Sequence, residues 1–297
     1  MEQKPKPTTE ELRAVLNALG RTDASTAKIT AFTAEEDGAE YAVWRIDGDE
    51  TAVLKRAKAF EIACYETYFR SGTPYVPALL GTCRIGDDDW LLTEYCEGRD
   101  LCRCDRPRLV KAIDALAGLQ NAFWERADLY GSCVTMERAE KAVEDRGKYL
   151  GSERLERAYA EFLRVYRETP RTLSHEDLLP INVLADETRA VLIDWEYAGI
   201  LPYAGPFARL IAHGREDETA LFHLTRADRD FAIESYYERL PQKHGISYAD
   251  YRRTLDHFLF YEYCEWIMLG NRYDARGDER FGYYSDLAER AADRLLQ

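Results

Sequence analysis

The sequence predicts an α+β chain in two lobes: an N-terminal five-stranded antiparallel sheet with a helix, followed by a mainly helical C-terminal lobe. Three observations predict it. Between Lys28 and Cys96 short β-type runs alternate with Gly- and Asp-bearing turns, and beyond Cys96 almost every apolar pattern repeats at the helical period. At 297 residues the chain is also long enough for two cores. The expected boundary falls near residue 96, dividing the chain into 1–96 and 97–297.

The elements follow in order. Thr8 and Glu11 have the form of a capping box, and Leu12, Val15, Leu16 and Leu19 recur at helical spacing until Gly20. "KITAFTA", "EYAVWRI" and "TAVLKRA" read as successive antiparallel strands separated by the turns "EEDGA" and "DGDE". "KAFEIACYETYFRSG" returns to the helical period and stops at Gly72, and "ALLGTCRIGDDDWLLTEYC" supplies two more strands around "GDDD". Thereafter helices are expected over 106–127, 136–149, 152–167, 216–240, 248–270 and 280–296, with "NVLAD" and "AVLIDWE" as the strands among them.

Charge narrows the function classes. Forty basic residues against 54 acidic ones give a net charge of −14, which repels nucleic acid and anionic membranes and draws in a cationic small molecule. No apolar run has the length of a membrane span, and the opening "MEQKPKPTTEELRAVL" has no signal-peptide core, so a cytoplasmic protein is expected. Seven scattered cysteines fit free thiols better than a disulfide framework, and Cys102 and Cys104 lack zinc-knuckle spacing. His213, His223, His244 and His257 show no metal-ligand spacing either.

The chemistry concentrates in "SHEDLLPINVLADETRAVLIDWE", residues 174–196. Asp177 falls on a loop, Asn182 enters one short strand and Asp194 ends the next, so a hairpin about "DETR" would bring Asn182 and Asp194 together. One or two protein oxygens plus substrate phosphates are the usual holders of magnesium. Asp177, left off the metal, could then orient and deprotonate an attacking hydroxyl.

"HEDLLPINVL" followed by "VLIDWE" resembles the His-x-Asp-x-x-x-x-Asn and Ile-Asp-Phe/Trp-Glu motifs of the aminoglycoside phosphotransferase and choline kinase group, small-molecule kinases of protein-kinase-like fold. The resemblance implies Asp177 as catalytic base, Asn182 and Asp194 as magnesium ligands, and His175 as a brace of the catalytic loop. It extends upstream. "TAVLKRA" resembles the strand whose lysine, here Lys55, contacts the α- and β-phosphates, and "FEIACYETYF" the helix whose glutamate pairs with it. Glu61 is the choice for that glutamate, with Glu66 on the same helix as its competitor. "WLLTEYCEGRDL" resembles the inter-lobe linker, in which the backbone of Glu94 to Cys96 would bond the adenine edge.

The sequence also departs from the family pattern. "TAEEDGAEY" has the single glycine Gly38, Glu176 and Ile181 stand where glycines are common, and Leu179 replaces a frequent second histidine. After "IDWE" the stretch "GILPYAGPFARLIA" lacks the aspartate that normally helps brace the catalytic loop. Further on, Glu262, Glu265, Asp274 and Asp278 beside Tyr261, Tyr263 and Trp266 read either as a wall for an amine-bearing substrate or as a core stripe with a solvated acidic face. The helical spacing of Leu255, Leu259, Trp266 and Ile267 favours the stripe.

The expectation is therefore a kinase that uses ATP or GTP with Mg2+ to phosphorylate a small-molecule hydroxyl on an aminoglycoside, a sugar or an amino alcohol. The alternative is a catalytically silent nucleotide-binding regulator of the same fold. Protein phosphorylation is disfavoured because no Ala-Pro-Glu motif follows Asp194.

Overall fold

The five strands expected before Cys96 form one antiparallel sheet in the order β1-β2-β3-β5-β4. They are β1 (Lys28–Thr33), β2 (Glu40–Asp47), β3 (Ala52–Ala57), β4 (Leu79–Ile85) and β5 (Asp88–Glu94). The structure, a computed structural model, describes residues 5–33 and 40–297, so the turn around Gly38 lies outside the described residues.

Two helices cover the sheet, one on each face. The capping box of Thr8 and Glu11 starts α1 (Thr9–Ala18), and its buried Leu12, Val15 and Leu16 pack with Trp44, Ile46, Ala52, Leu54, Trp90 and Leu92. The two-residue period of a strand sends the neighbours of those residues to the other face. Lys55 therefore points away from α1, toward α2 (Ala59–Tyr68). Cys64, Tyr65, Tyr68 and Phe69 of α2 and its C-terminal end belong to the larger cluster formed mainly by the later helices. Phe69 meets Trp195 edge to face, with ring centroids 4.7 Å apart.

The rest of the chain is mainly helical: α3 (Arg106–Ala122), α4 (Met136–Gly147), α5 (Glu153–Glu168), α6 (Ala204–Ala212), α7 (Arg226–Arg239), α8 (Tyr248–Tyr273) and α9 (Glu279–Leu295). Two short antiparallel pairs lie among them. One is the expected hairpin of β7 (Val183–Ala185) with β8 (Ala190–Leu192), turned by Asp186, whose side chain accepts hydrogen bonds from Thr188 N and Arg189 N. The other, β6 (Arg171–Ser174) with β9 (Gly199–Pro202), is not foreseen from the sequence.

The structure differs from the expected helices in three places. The first helix after the sheet ends at Ala122 rather than 127. The helix expected over 216–240 begins only at Arg226, because Thr225 caps it and Asp217 with Thr219 makes a turn upstream. Helix α6 forms although Gly205 and Pro206 read as breakers, since a proline in the first turn lacks an N–H that the helix does not need there. No helix of the described residues is long and apolar enough to cross a membrane.

Candidate active site

Lys55 is the junction of the site. Its ammonium donates to Glu61 Oε1 at 2.9 Å and to Asp194 Oδ1 at 2.6 Å, joining residues 139 positions apart. Glu61 is almost fully buried, whereas Glu66 on the same helix is exposed and forms no such pair. Burial works to lower the Lys55 pKa, but the two carboxylates outweigh it and the net shift is upward. Burial raises the Glu61 carboxyl, with Lys55 opposing. A second tie crosses at the same level: Lys58 donates to Glu196 Oε1 at 2.7 Å.

Asp194 lies two residues beyond β8, in a left-handed turn (φ 68°) rather than at the strand's end. Its position is fixed from behind. His175 Nε2 donates to the carbonyl of Ile193 at 2.8 Å, and its ring lies 4.5 Å from that of Trp195. Burial depresses the His175 pKa to about 4, so this imidazole is a neutral strut.

The loop between His175 and β7 is clipped by its own backbone. The carbonyl of Asp177 accepts from Leu179 N and from Asn182 Nδ2, each at 2.8 Å, and Ile193 N donates to Asn182 O at 3.0 Å. A carbonyl oxygen only accepts, so the NH2 of Asn182 faces it and the amide oxygen is left for another partner. One amide oxygen from Asn182 and one carboxylate from Asp194 make a hard-oxygen pair suited to magnesium, which normally keeps waters and phosphates as its other ligands.

The Asp177 side chain has a partner that the sequence reading did not find. Arg209 of α6 donates to Asp177 Oδ1 through Nη2 at 2.9 Å and Nε at 3.2 Å. Its Nη1 donates to Glu262 Oε2 at 2.8 Å and also to Glu265 Oε2. Burial raises the Asp177 carboxyl, with Arg209 opposing. For Glu262 burial disfavours the charge, but Arg209 and His213 outweigh it and hold the carboxyl down to about 2. The acidic side of α8 is thus turned inward at these two positions, neither solvated nor free to face a ligand. Asp274 ends α8 and Asp278 caps α9.

His213, Glu262 and Glu265 come close enough to hold a metal ion, a grouping that the sequence spacing does not show. The two carboxylate oxygens nearest His213 are the ones that already accept from Arg209, so the guanidinium supplies the charge a metal would bring. A lone arginine in the apolar run "FARLIA" was the sequence signal for this network.

The linker residues sit beside the sheet. Glu94 Oε1 accepts from Arg189 at 2.7 Å and its Oε2 from Ala78 N at 3.1 Å, while its backbone N–H donates to Ala78. Among the described residues the N–H and C=O of Cys96 carry no backbone hydrogen bond. Cys96 Sγ lies 3.2 Å from Glu94 Oε1.

A family model described as "Phosphotransferase enzyme family" matches residues 28–241. The chain belongs to this phosphotransferase family. Two curated relatives, both named protein LicA and from Haemophilus influenzae, are 26% and 25% identical to it over 145 residues, or 49% of this chain. Those matches cover 51% and 40% of the relatives, so the chain aligns with about half of their length or less. Among solved structures, an aminoglycoside-3'-phosphotransferase of type VIII superposes with a TM-score of 0.56 at 20% identity, covering 83% of this chain and 98% of that one. A choline/ethanolamine kinase family protein from Mesorhizobium loti gives 0.59 at 15% identity, covering 97% and 95%. Amicoumacin kinase in complex with AMP-PNP, Ca2+ and Ami gives 0.54 at 14% identity, covering 90% and 87%. These likenesses show the phosphotransferase fold of small-molecule kinases.

Proposed function

We propose that this phosphotransferase moves the γ-phosphoryl group of ATP or GTP, with magnesium, onto a hydroxyl of a small molecule such as an aminoglycoside, a sugar or an amino alcohol. The observation that carries the reading is the Lys55 ammonium held between Glu61 and Asp194, close in the chain to a loop that clips Asp177 and Asn182 together. In this reading Glu61 fixes Lys55, Lys55 grips the α- and β-phosphates, and the unpaired backbone groups at Cys96, next to Glu94, receive the adenine edge. Residues 1–96 form the nucleotide lobe with its linker, and 97–297 the catalytic and acceptor lobe.

Asp177 accepts the proton of the acceptor hydroxyl as the new P–O bond forms and the bond to the departing nucleoside diphosphate breaks. Magnesium bound at Asn182 and Asp194 supplies charge neutralisation on the phosphates. Seven free cysteines suit a reducing cytoplasm, and the net charge of −14 concentrates cationic acceptors near the protein. The name of one structural neighbour, an aminoglycoside-3'-phosphotransferase, and the AMP-PNP and Ami bound to another support a small-molecule acceptor and a nucleotide donor.

The test is ATP turnover by the purified chain with magnesium across aminoglycosides, sugars and amino alcohols, with Asp177→Ala as control. Turnover that requires one compound and falls about a hundred- to ten-thousand-fold in the control supports the reading. Undiminished turnover in Asp177→Ala overturns the role of that residue. Magnesium-dependent ATP binding with no compound phosphorylated makes the chain a silent nucleotide binder instead.

A further inference from the structure

We propose that Arg209 is a positioning residue for Asp177, holding one carboxylate oxygen so that the other is presented to the acceptor hydroxyl; the role rests on the phosphotransferase reading above. Both Arg209 nitrogens that reach the aspartate donate to the same atom, Oδ1. Among the described residues Asp177 Oδ2 makes no hydrogen bond. A two-pronged grip on one oxygen fixes the side-chain torsions of the aspartate and leaves Oδ2 as the oxygen that can take a proton. The grip matters because Asp177 follows a residue in a left-handed conformation, Glu176 (φ 60°), at a bend of the loop.

The guanidinium is itself immobile. Its side chain is 13% exposed, and its third nitrogen is held from α8 by Glu262 and Glu265. Arg146 of α4 approaches Glu265 to 3.6 Å and lies over the Tyr261 ring at 4.4 Å, and His213 stands 3.3 Å from Glu262. Four elements therefore converge on the base: its own loop, α6, α8 and α4. The two rear carboxylates also neutralise the guanidinium, so Asp177 is oriented without facing an uncompensated cation. A lysine, with one nitrogen, cannot reproduce the two-nitrogen grip on Asp177 Oδ1.

A double-mutant cycle tests this on the compound phosphorylated in the panel and, in parallel, on magnesium-dependent ATP hydrolysis with water as acceptor. Arg209→Met is expected to lower kcat about ten- to a hundred-fold, with magnesium-ATP affinity and acceptor KM within about twofold of wild type. In an Asp177→Asn background the same change should cost less than about twofold more, because Arg209 acts through the carboxylate already removed. Arg209→Lys should recover only part of the loss. If Arg209→Met does not fold with Glu262 and Glu265 left unpaired, adding Glu262→Gln and Glu265→Gln removes their charge and the same cycle is run.

Losses that multiply in the double variant overturn the proposal, as does a loss confined to ATP affinity or unchanged kcat. The two readings fail separately. A wild-type chain that turns nothing over takes down the phosphotransferase assignment and the role of Arg209 with it, whereas an active wild type with multiplying losses takes down Arg209 alone.

Discussion

Glu176→Gln should stabilise this protein at alkaline pH and do almost nothing at pH 4.5. Glu176 is a half-buried residue of the loop that bears Asp177, where Ser174 donates to its Oε1 at 2.5 Å, and burial of the carboxyl raises its pKa from 4.5 to about 7. Between those values the folded chain holds a proton that the unfolded chain has released, so stability falls as pH rises through the window. The accumulated cost above pH 7 is about 3 kcal/mol at most, at about 1.4 kcal/mol per pH unit. Glutamine keeps an oxygen for Ser174 and carries no charge. His175 works in the opposite direction: its pKa falls from 6.5 to about 4, so its contribution is complete above pH 6.5 and is lost as pH drops toward 4. In the wild type the two neighbours nearly cancel, and in the variant the histidine alone remains. Urea unfolding of both proteins from pH 4.5 to 8 would show the difference growing from near zero to a plateau above pH 7. A variant no more stable than wild type at pH 8, or a difference independent of pH, would refute the account.

Other substitutions have equally direct readouts. Lys55→Met strands the Glu61 carboxylate, 2% exposed, without its cation and should cost about 3 kcal/mol in denaturant unfolding, most of it recovered in Lys55→Met/Glu61→Gln. Magnesium-ATP affinity should stay weak in both variants. Gly199→Ala would set a Cβ 2.1 Å from the carbonyl oxygen of Val134, so β9 or that loop must move, and a loss of about 1–3 kcal/mol should appear as a lower Tm. Thr8→Ala removes the side-chain half of the α1 capping box, the bond from Glu11 N to Thr8 Oγ1, and should cost about 1 kcal/mol by urea unfolding, with magnesium-ATP affinity unchanged.

Much of the fold was legible because its signals are local. The short β-type runs of β2 and β3, set off by the turns "EEDGA" and "DGDE", identify strands without any partner, and Thr8 with Glu11 marks the start of α1. The pair β6 and β9 was not legible: each has four residues, too few for a period, and the partners lie 25 or more positions apart. Helix α6 is hidden by Gly205 and Pro206, and α7 starts at Arg226 rather than 216 because Thr225 caps it by accepting from Asp228 N. The candidate site divides in the same way. Asp177, Asn182 and Asp194 share one short stretch, and the structure draws Lys55 and Glu61 to it. Arg209, Glu262 and Glu265 meet Asp177 only through the packing of α6 against α8, which no spacing along the chain encodes.

The allegiance of α2 decides how this molecule can be taken apart. In chain order it belongs with the sheet, yet Cys64, Tyr65, Tyr68 and Phe69 are stones in the wall of the helical half. A fragment beginning at residue 97 would carry an open apolar wound where Phe69 covers Trp195, the residue next to Asp194. Severing the halves in sequence would thus unroof the very turn that bears the aspartate. They are not interchangeable cassettes, and a chimera that grafts a foreign sheet here must bring α2 from the native partner.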